Sequence, residues 1–137
     1  MINLSELKNK NYAYIRQEME TIVSLCKEHG RLSKVIFENC YLTEEEKKIL
    51  CEIARKVKPD YVKTSTGFGT SGATVEDVAL MKALVGGGIK VKAAGGIRDL
   101  DTCLAMLRAG AQRIGTSSSL QILKEYDERF SDSTAKR

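Results

Sequence analysis

Tyr61-Val62-Lys63-Thr64-Ser65-Thr66-Gly67-Phe68 sets one lysine in the middle of a short β-branched and apolar run that ends in glycine. A second run of this kind, Ile89-Lys90-Val91-Lys92-Ala93-Ala94-Gly95-Gly96, carries Lys92. Side chains alternate between the two faces of a strand. Val62, Thr64, Val91 and Ala93 therefore share one face, suited to packing under helices. Lys63, Ser65, Lys92 and Ala94 share the other. If the runs are neighbouring parallel strands, the two lysines stand at similar heights, within several ångströms. An amine held near another cation loses its proton more readily, and a neutral amine attacks a carbonyl. Lysines also sit on edge strands to deter aggregation. The glycine-rich turns that follow both runs at matching places favour the chemical reading.

Outward from this stretch the chain alternates strand and helix signals. Ile15, Met19, Ile22, Val23 and Cys26 recur at helical spacing, and Gly30 stops that helix. A strand is predicted over 34–40. Thr43 with Glu46 forms a capping box that opens a helix to about Val57. Pro59-Asp60 breaks the chain before the strand over 61–66. Thr74 with Asp77 opens another helix, closed by Gly86-Gly87-Gly88. The strand over 89–94 leads through Gly95-Gly96 to Asp99, which caps a helix ending at Gly110. A strand over 113–116 runs into a last helix over 118–129. Strand starts near 34, 61, 89 and 113 fit successive βα units, hence an α/β fold with a parallel sheet. Residues 1–130 read as one domain, and the polar tail 131–137 is expected to be disordered.

Composition narrows the class. At 137 residues, 42% apolar and 29% charged, the chain is an ordinary globular domain able to bury a core. A net charge of +4 is compatible with an anionic substrate. Basic and acidic residues alternate along the helices and form no basic stripe, which argues against nucleic-acid binding. Cys26, Cys40, Cys51 and Cys103 are scattered, and His29 is the only histidine, so no zinc-ligand cluster is indicated. The cysteines read as reduced thiols. No apolar run approaches the roughly 20 residues that span a bilayer. No signal-peptide pattern opens the chain. A cytoplasmic protein with no membrane partner is expected.

Three motifs in order carry a resemblance. They are Lys63-Thr-Ser-Thr-Gly-Phe-Gly-Thr-Ser-Gly-Ala-Thr-Val-Glu-Asp-Val, Val91-Lys92-Ala-Ala-Gly-Gly-Ile-Arg98 and Ala109-Gly-Ala-Gln-Arg-Ile-Gly-Thr-Ser-Ser118. Lys34-Val-Ile-Phe-Glu38 followed by Leu42-Thr43 fits the preceding strand and loop. Together they resemble the deoxyribose-phosphate aldolases, class I (Schiff-base) aldolases built on a (β/α)8 TIM barrel. The resemblance runs from about Met1 to about Glu125 and covers only the second half of such a barrel. Length agrees, because a complete barrel takes roughly 250 residues. The family's first three strands have no counterpart here. An aspartate of its proton relay would stand just before Met1-Ile2-Asn3, and no residue of this chain matches it.

The resemblance implies roles. Lys63 matches the Schiff-base lysine, and Lys92 the second lysine, whose charge depresses the pKa of the first. The family cleaves 2-deoxyribose 5-phosphate to acetaldehyde and glyceraldehyde 3-phosphate, using no metal and no organic cofactor. The family often ends in a tyrosine that assists proton transfer. This chain ends in Lys136-Arg137, and Tyr126 is given no such role.

Barrel enzymes bind ligands at the C-terminal ends of their strands, often with phosphate after strands 7 and 8. Gly67, Gly95 and Gly96 let the backbone approach an anion closely. Ser117 and Ser118 stand where the last strand passes into a helix, with amides and hydroxyls for phosphate. Singly, each could make only a tight turn or a cap. At the ends of consecutive strands they point to a phosphate site. Arg98 could contact phosphate or pair with a neighbouring carboxylate. Glu38, on the first strand with Lys34 and Ile36, could pair with a lysine across the interior or form a structural ion pair.

The expected function is thus a lyase acting on a small phosphorylated sugar. The alternative is a non-catalytic half-barrel that binds sugar phosphates or serves as an assembly module. A half-barrel has two open sheet edges and an uncovered concave face. A homo-oligomer, or pairing with a complementing barrel half, is therefore expected.

Overall fold

In the computed structural model, which describes residues 1–130, the β-branched runs lie side by side in one sheet. The strands are β1 (Lys34–Ile36), β2 (Tyr61–Lys63), β3 (Lys90–Ala94) and β4 (Arg113–Gly115), in chain order and all parallel. Parallel neighbours need a crossover. Here each crossover is a helix: α3 (Glu44–Val57), α4 (Val75–Val85) or α5 (Leu100–Arg108). Helices α1 (Leu4–Lys8) and α2 (Tyr12–Glu28) precede the sheet, and α6 (Ser119–Phe130) follows it. This βα succession is half of an α/β barrel. The expectation for the tail 131–137 falls outside the described residues.

Local chemistry explains the helix ends. The Thr43 hydroxyl accepts the Glu46 N–H at 3.2 Å, and the Glu46 carboxylate accepts the Thr43 N–H at 2.8 Å. That capping box satisfies two otherwise orphan donors of α3. Thr74 caps α4 through the Asp77 N–H at 3.1 Å. The Asp77 carboxylate instead meets Lys47 of α3 at 2.6 Å, tying successive helices together. Asp99 caps α5 through Thr102, and Glu125 of α6 accepts the Leu100 N–H at 2.7 Å. The last helix thus holds the start of the one before it.

Alternation along the strands decides the core. Val35, Val62, Val91 and Ala93 are buried toward the helices, against Met19, Leu50, Ala54, Val78 and Met81. Cys51 lies in this core, and burial pushes its thiol up to about 12. Lys63, Lys92, Lys34 and Arg113 take the opposite, concave face.

Several boundaries differ from the sequence reading. The strand predicted over 34–40 ends at Ile36. Phe37 N–H still donates to Lys63 O at 3.0 Å, but Glu38 adopts φ 60 and a 3-10 turn, Asn39–Tyr41, follows. Glu38 therefore leaves the strand instead of facing inward along it. The strand over 61–66 is likewise shorter. Helix α1 was not foreseen: Asn3 caps it, and Ile2 N–H donates to Ile36 O at 3.1 Å beside β1. In α2 the buried stripe is Ile15, Met19 and Val23, whereas Ile22 is 46% exposed, beside Lys34 and Val35 of β1.

Candidate active site

The β2–β3 register makes Lys63 and Lys92 direct partners across the ladder. Burial, and then the charges of Lys63, Lys34 and Arg113, hold the Lys92 ammonium below the usual lysine range. Gly115 makes room for this side chain. A methyl group there would stand 2.9 Å from both Lys92 Cε and the Ala94 methyl. A glycine in a strand often marks such a close approach.

The loops that follow the strands are locked to one another. Beyond Lys63, the Thr64 hydroxyl donates to Ala94 O at 3.3 Å and accepts from Ala94 N–H at 3.2 Å. Thr66 donates both its N–H, at 3.0 Å, and its hydroxyl to the Glu38 carboxylate. The Thr66 hydroxyl then accepts the Phe68 N–H at 3.0 Å. Glu38 is almost fully buried, so its pairing fixes the chain just past Lys63. Among the described residues, Glu38 makes neither of the ion pairs considered from sequence. Gly95 holds φ +85 and is packed directly against Gly72. Ala73 N–H donates to both Ala94 O and Gly95 O, at 3.0 and 3.1 Å. The Thr116 hydroxyl donates to Ile97 O at 2.6 Å and so joins the last two loops.

Between these loops lies a cleft of about 360 Å³ at the C-terminal ends of the strands. Its wall includes Lys63, Gly67, Gly95, Gly96 and Ser117 of the residues singled out from sequence. Arg98 joins them, and no ion pair among the described residues includes it. The wall carries the cations Lys63 and Arg98 and no carboxylate, a balance that suits an anion. Lys92 is not part of the wall, although its stem lies against Gly115, which is. Ser118 is also outside it. Its N–H donates to the Thr116 hydroxyl at 2.9 Å, and its carbonyl accepts the Ile122 N–H of α6 at 3.0 Å. Tyr126 packs on Phe130, with ring centroids 4.8 Å apart, on α6.

Sequence reasoning passed over Thr66, Gly72, Gly115 and Thr116 as site residues. Gly115 was detectable as a strand glycine, and Gly72 lay inside a quoted motif. The bonds of Thr66 and Thr116 depend on loops distant in sequence and left no local signal. Among the described residues no cluster of His, Cys, Asp and Glu is placed to hold a metal. None of the described helices is long and apolar enough to cross a membrane.

No family model matches the chain. Individual proteins do. The solved structure of an aldolase designated QR15 superposes with a TM-score of 0.83 at 45% identity, over 93% of this chain and 57% of that one. A tetrameric deoxyribose phosphate aldolase from Aeropyrum pernix gives 0.79 at 34% identity, over 86% of this chain and 51% of that one. The fold is therefore the half-barrel of an aldolase-type α/β barrel. In sequence, the chain is 58% identical over 132 residues to a deoxyribose-phosphate aldolase of Lactobacillus acidophilus, covering 96% of this chain and 56% of the relative. The chain is homologous to the deoxyribose-phosphate aldolases along nearly its whole length and spans about half of theirs.

Proposed function

We propose that this chain carries the Schiff-base half of a deoxyribose-phosphate aldolase site, with Lys63 as nucleophile. The observation that supports it is the Lys63–Lys92 pairing across β2 and β3 beside an anion-suited cleft. In this reading the Lys63 amine adds to the aldehyde carbon of open-chain 2-deoxyribose 5-phosphate and water leaves. The protonated imine then draws in the electron pair of the C2–C3 bond as the C3 hydroxyl gives up its proton. Glyceraldehyde 3-phosphate departs, and the enamine left on Lys63 is protonated and hydrolysed to acetaldehyde. Lys92 supplies the positive field that opposes a second ammonium beside it. Gly67, Gly95, Gly96 and Ser117 cradle the phosphate, with Arg98 as its counter-charge. Ser118 helps by steadying Thr116. The free cysteines fit a cytoplasmic setting.

A second reading has its own support. The cleft wall offers no carboxylate or histidine to take the C3 hydroxyl proton. We therefore expect the chain alone to form the lysine adduct while turning over the full substrate weakly. Incubation with acetaldehyde, reduction with borohydride and peptide mapping test the proposal. One ethyl group on Lys63 is expected. An unmodified Lys63 in folded protein would reject the nucleophile assignment.

A further inference from the structure

A second cavity, of about 390 Å³, lies at the end of the sheet opposite the glycine-lined cleft. Arg55 and Lys58 at the end of α3, Asp60 before β2, and Gly88 and Ile89 before β3 stand in its wall. Lys58 is an unusual residue for its position. It closes α3 in the left-handed conformation, φ 60 and ψ 58, and its N–H donates to Ala54 O at 2.7 Å. Glycine is common there, because a Cβ crowds the neighbouring carbonyl. A lysine at a helix end offsets the partial negative charge of the last carbonyls. Arg55 and Lys56, in the last turn of α3, already do this without strain. A strained residue kept at a cavity wall points to a use for its side chain.

The rest of the wall offers donors and one acceptor. Neither Arg55 nor Lys58 enters an ion pair among the described residues. Among them, the N–H groups of Gly88 and Ile89 donate no hydrogen bond. At Gly87 and Gly88 an added methyl would meet nothing within 4 Å, and neither residue has positive φ. Neither packing nor conformation asks for glycine there, whereas close approach of a ligand to the backbone does. Asp60 is partly engaged: Ser33 donates its N–H at 2.7 Å and its hydroxyl at 2.8 Å to Oδ2. These bonds hold its carboxyl below the usual carboxylate range, so it stays charged. Oδ1 keeps lone pairs for a further donor.

We infer that this cavity binds a phosphate monoester that carries a hydroxyl group, with the phosphate on Arg55, Lys58 and the Gly88 and Ile89 amides and the hydroxyl donating to Asp60. Two cations against one carboxylate leave the wall net positive, which suits an anion. The carboxylate repels a bare anion that comes close to it, and accepts a ligand that turns a donor toward it. The end of α3 also repels an anion, so the side-chain cations and the turn amides carry the phosphate rather than the helix. Asp60 stands at the start of β2 and Lys63 at its end, which separates this site from the cleft beside Lys63. The inference does not rest on the chemistry assigned to Lys63.

Amide NMR of the full chain, titrated with glycerol 3-phosphate, inorganic phosphate and glycerol, reads the two ends of the sheet separately. Saturable shifts of the Gly88 and Ile89 signals are expected with glycerol 3-phosphate, at a concentration at least about threefold lower than with inorganic phosphate, since one hydrogen bond is added. Glycerol should leave both signals in place. Lys58→Gly should abolish the shifts while leaving those at Gly95 and Gly96 as in the wild type. It should also melt at or above the wild-type temperature, because glycine relieves the strain. Arg55→Met should weaken binding about tenfold, the loss of a charged hydrogen bond, and decides alone if Lys58→Gly does not fold. Gly88 and Ile89 signals that none of the ligands moves, or that glycerol moves equally, would overturn the inference. So would shifts that survive both substitutions, or equal saturation by the two phosphates. Shifts confined to Gly95 and Gly96 would uphold the phosphate cleft and reject this site, and shifts confined to Gly88 and Ile89 would do the reverse.

Discussion

Lys92 sits where burial and three neighbouring cations all oppose its protonation. An unfolded lysine keeps its proton to about pH 10.4. Between the depressed folded value and that point the unfolded chain binds more protons, so this residue makes stability rise with pH across the window. Below the window both states are protonated, and the charge destabilises the fold in full. Lys92→Met keeps the length of the side chain and removes the charge. It is expected to raise the urea midpoint at pH 7, with the gain shrinking toward pH 10. A lower or unchanged midpoint at pH 7 would contradict the crowding. Glu38 shows the opposite economy, because one strained residue satisfies two donors of Thr66. Glu38→Ala removes a charged acceptor, which costs about 1.5–3 kcal/mol. Urea denaturation would measure that loss. Slower borohydride trapping at Lys63 should accompany it, and unchanged trapping would show that the loop does not depend on Glu38.

At the level of elements, Gly72 and Gly95 in the loops after β2 and β3 meet backbone to backbone. A methyl group at Gly72 would overlap the Gly95 carbonyl, and neither partner is a flexible side chain. Gly72→Ala is therefore expected to cost about 1–3 kcal/mol, the range of an overpacked core, and to weaken inorganic phosphate binding. Thermal melting and calorimetric titration check the two effects, and a wild-type melt with wild-type phosphate affinity would contradict the contact. This junction also marks where the sequence stopped being readable. Thr43 with Glu46, Thr74 and Asp99 announced their helices because a cap is a local arrangement of neighbouring residues. The shared face of Lys63 and Lys92 followed from the period of two in a strand. The left-handed turn at Glu38 left no such sign, since it is held by Thr66, far along the chain. Ser118 follows Ser117 in sequence, and its carbonyl and amide hold the turn into α6. Ile22 matched the helical spacing yet stays 46% exposed, in a groove beside Lys34 and Val35 of β1, because spacing alone does not fix how deeply each residue of the stripe is buried.

The whole molecule is a half-barrel whose sheet serves two purposes. One face packs Val35, Val62, Val91 and Ala93 under the helices. The other gathers the cations Lys34, Lys63, Lys92 and Arg113. The proposed chemistry needs two things at one end of the sheet, an amine for the aldehyde and a glycine-lined cleft for the phosphate. Both parts are tested together by reductive trapping with 2-deoxyribose 5-phosphate and, in parallel, with 2-deoxyribose, followed by peptide mapping. The adduct is expected on Lys63, saturating at lower concentration with the phosphorylated sugar. Equal saturation by the two sugars, or label spread over surface lysines with Lys63 unmodified, would contradict it.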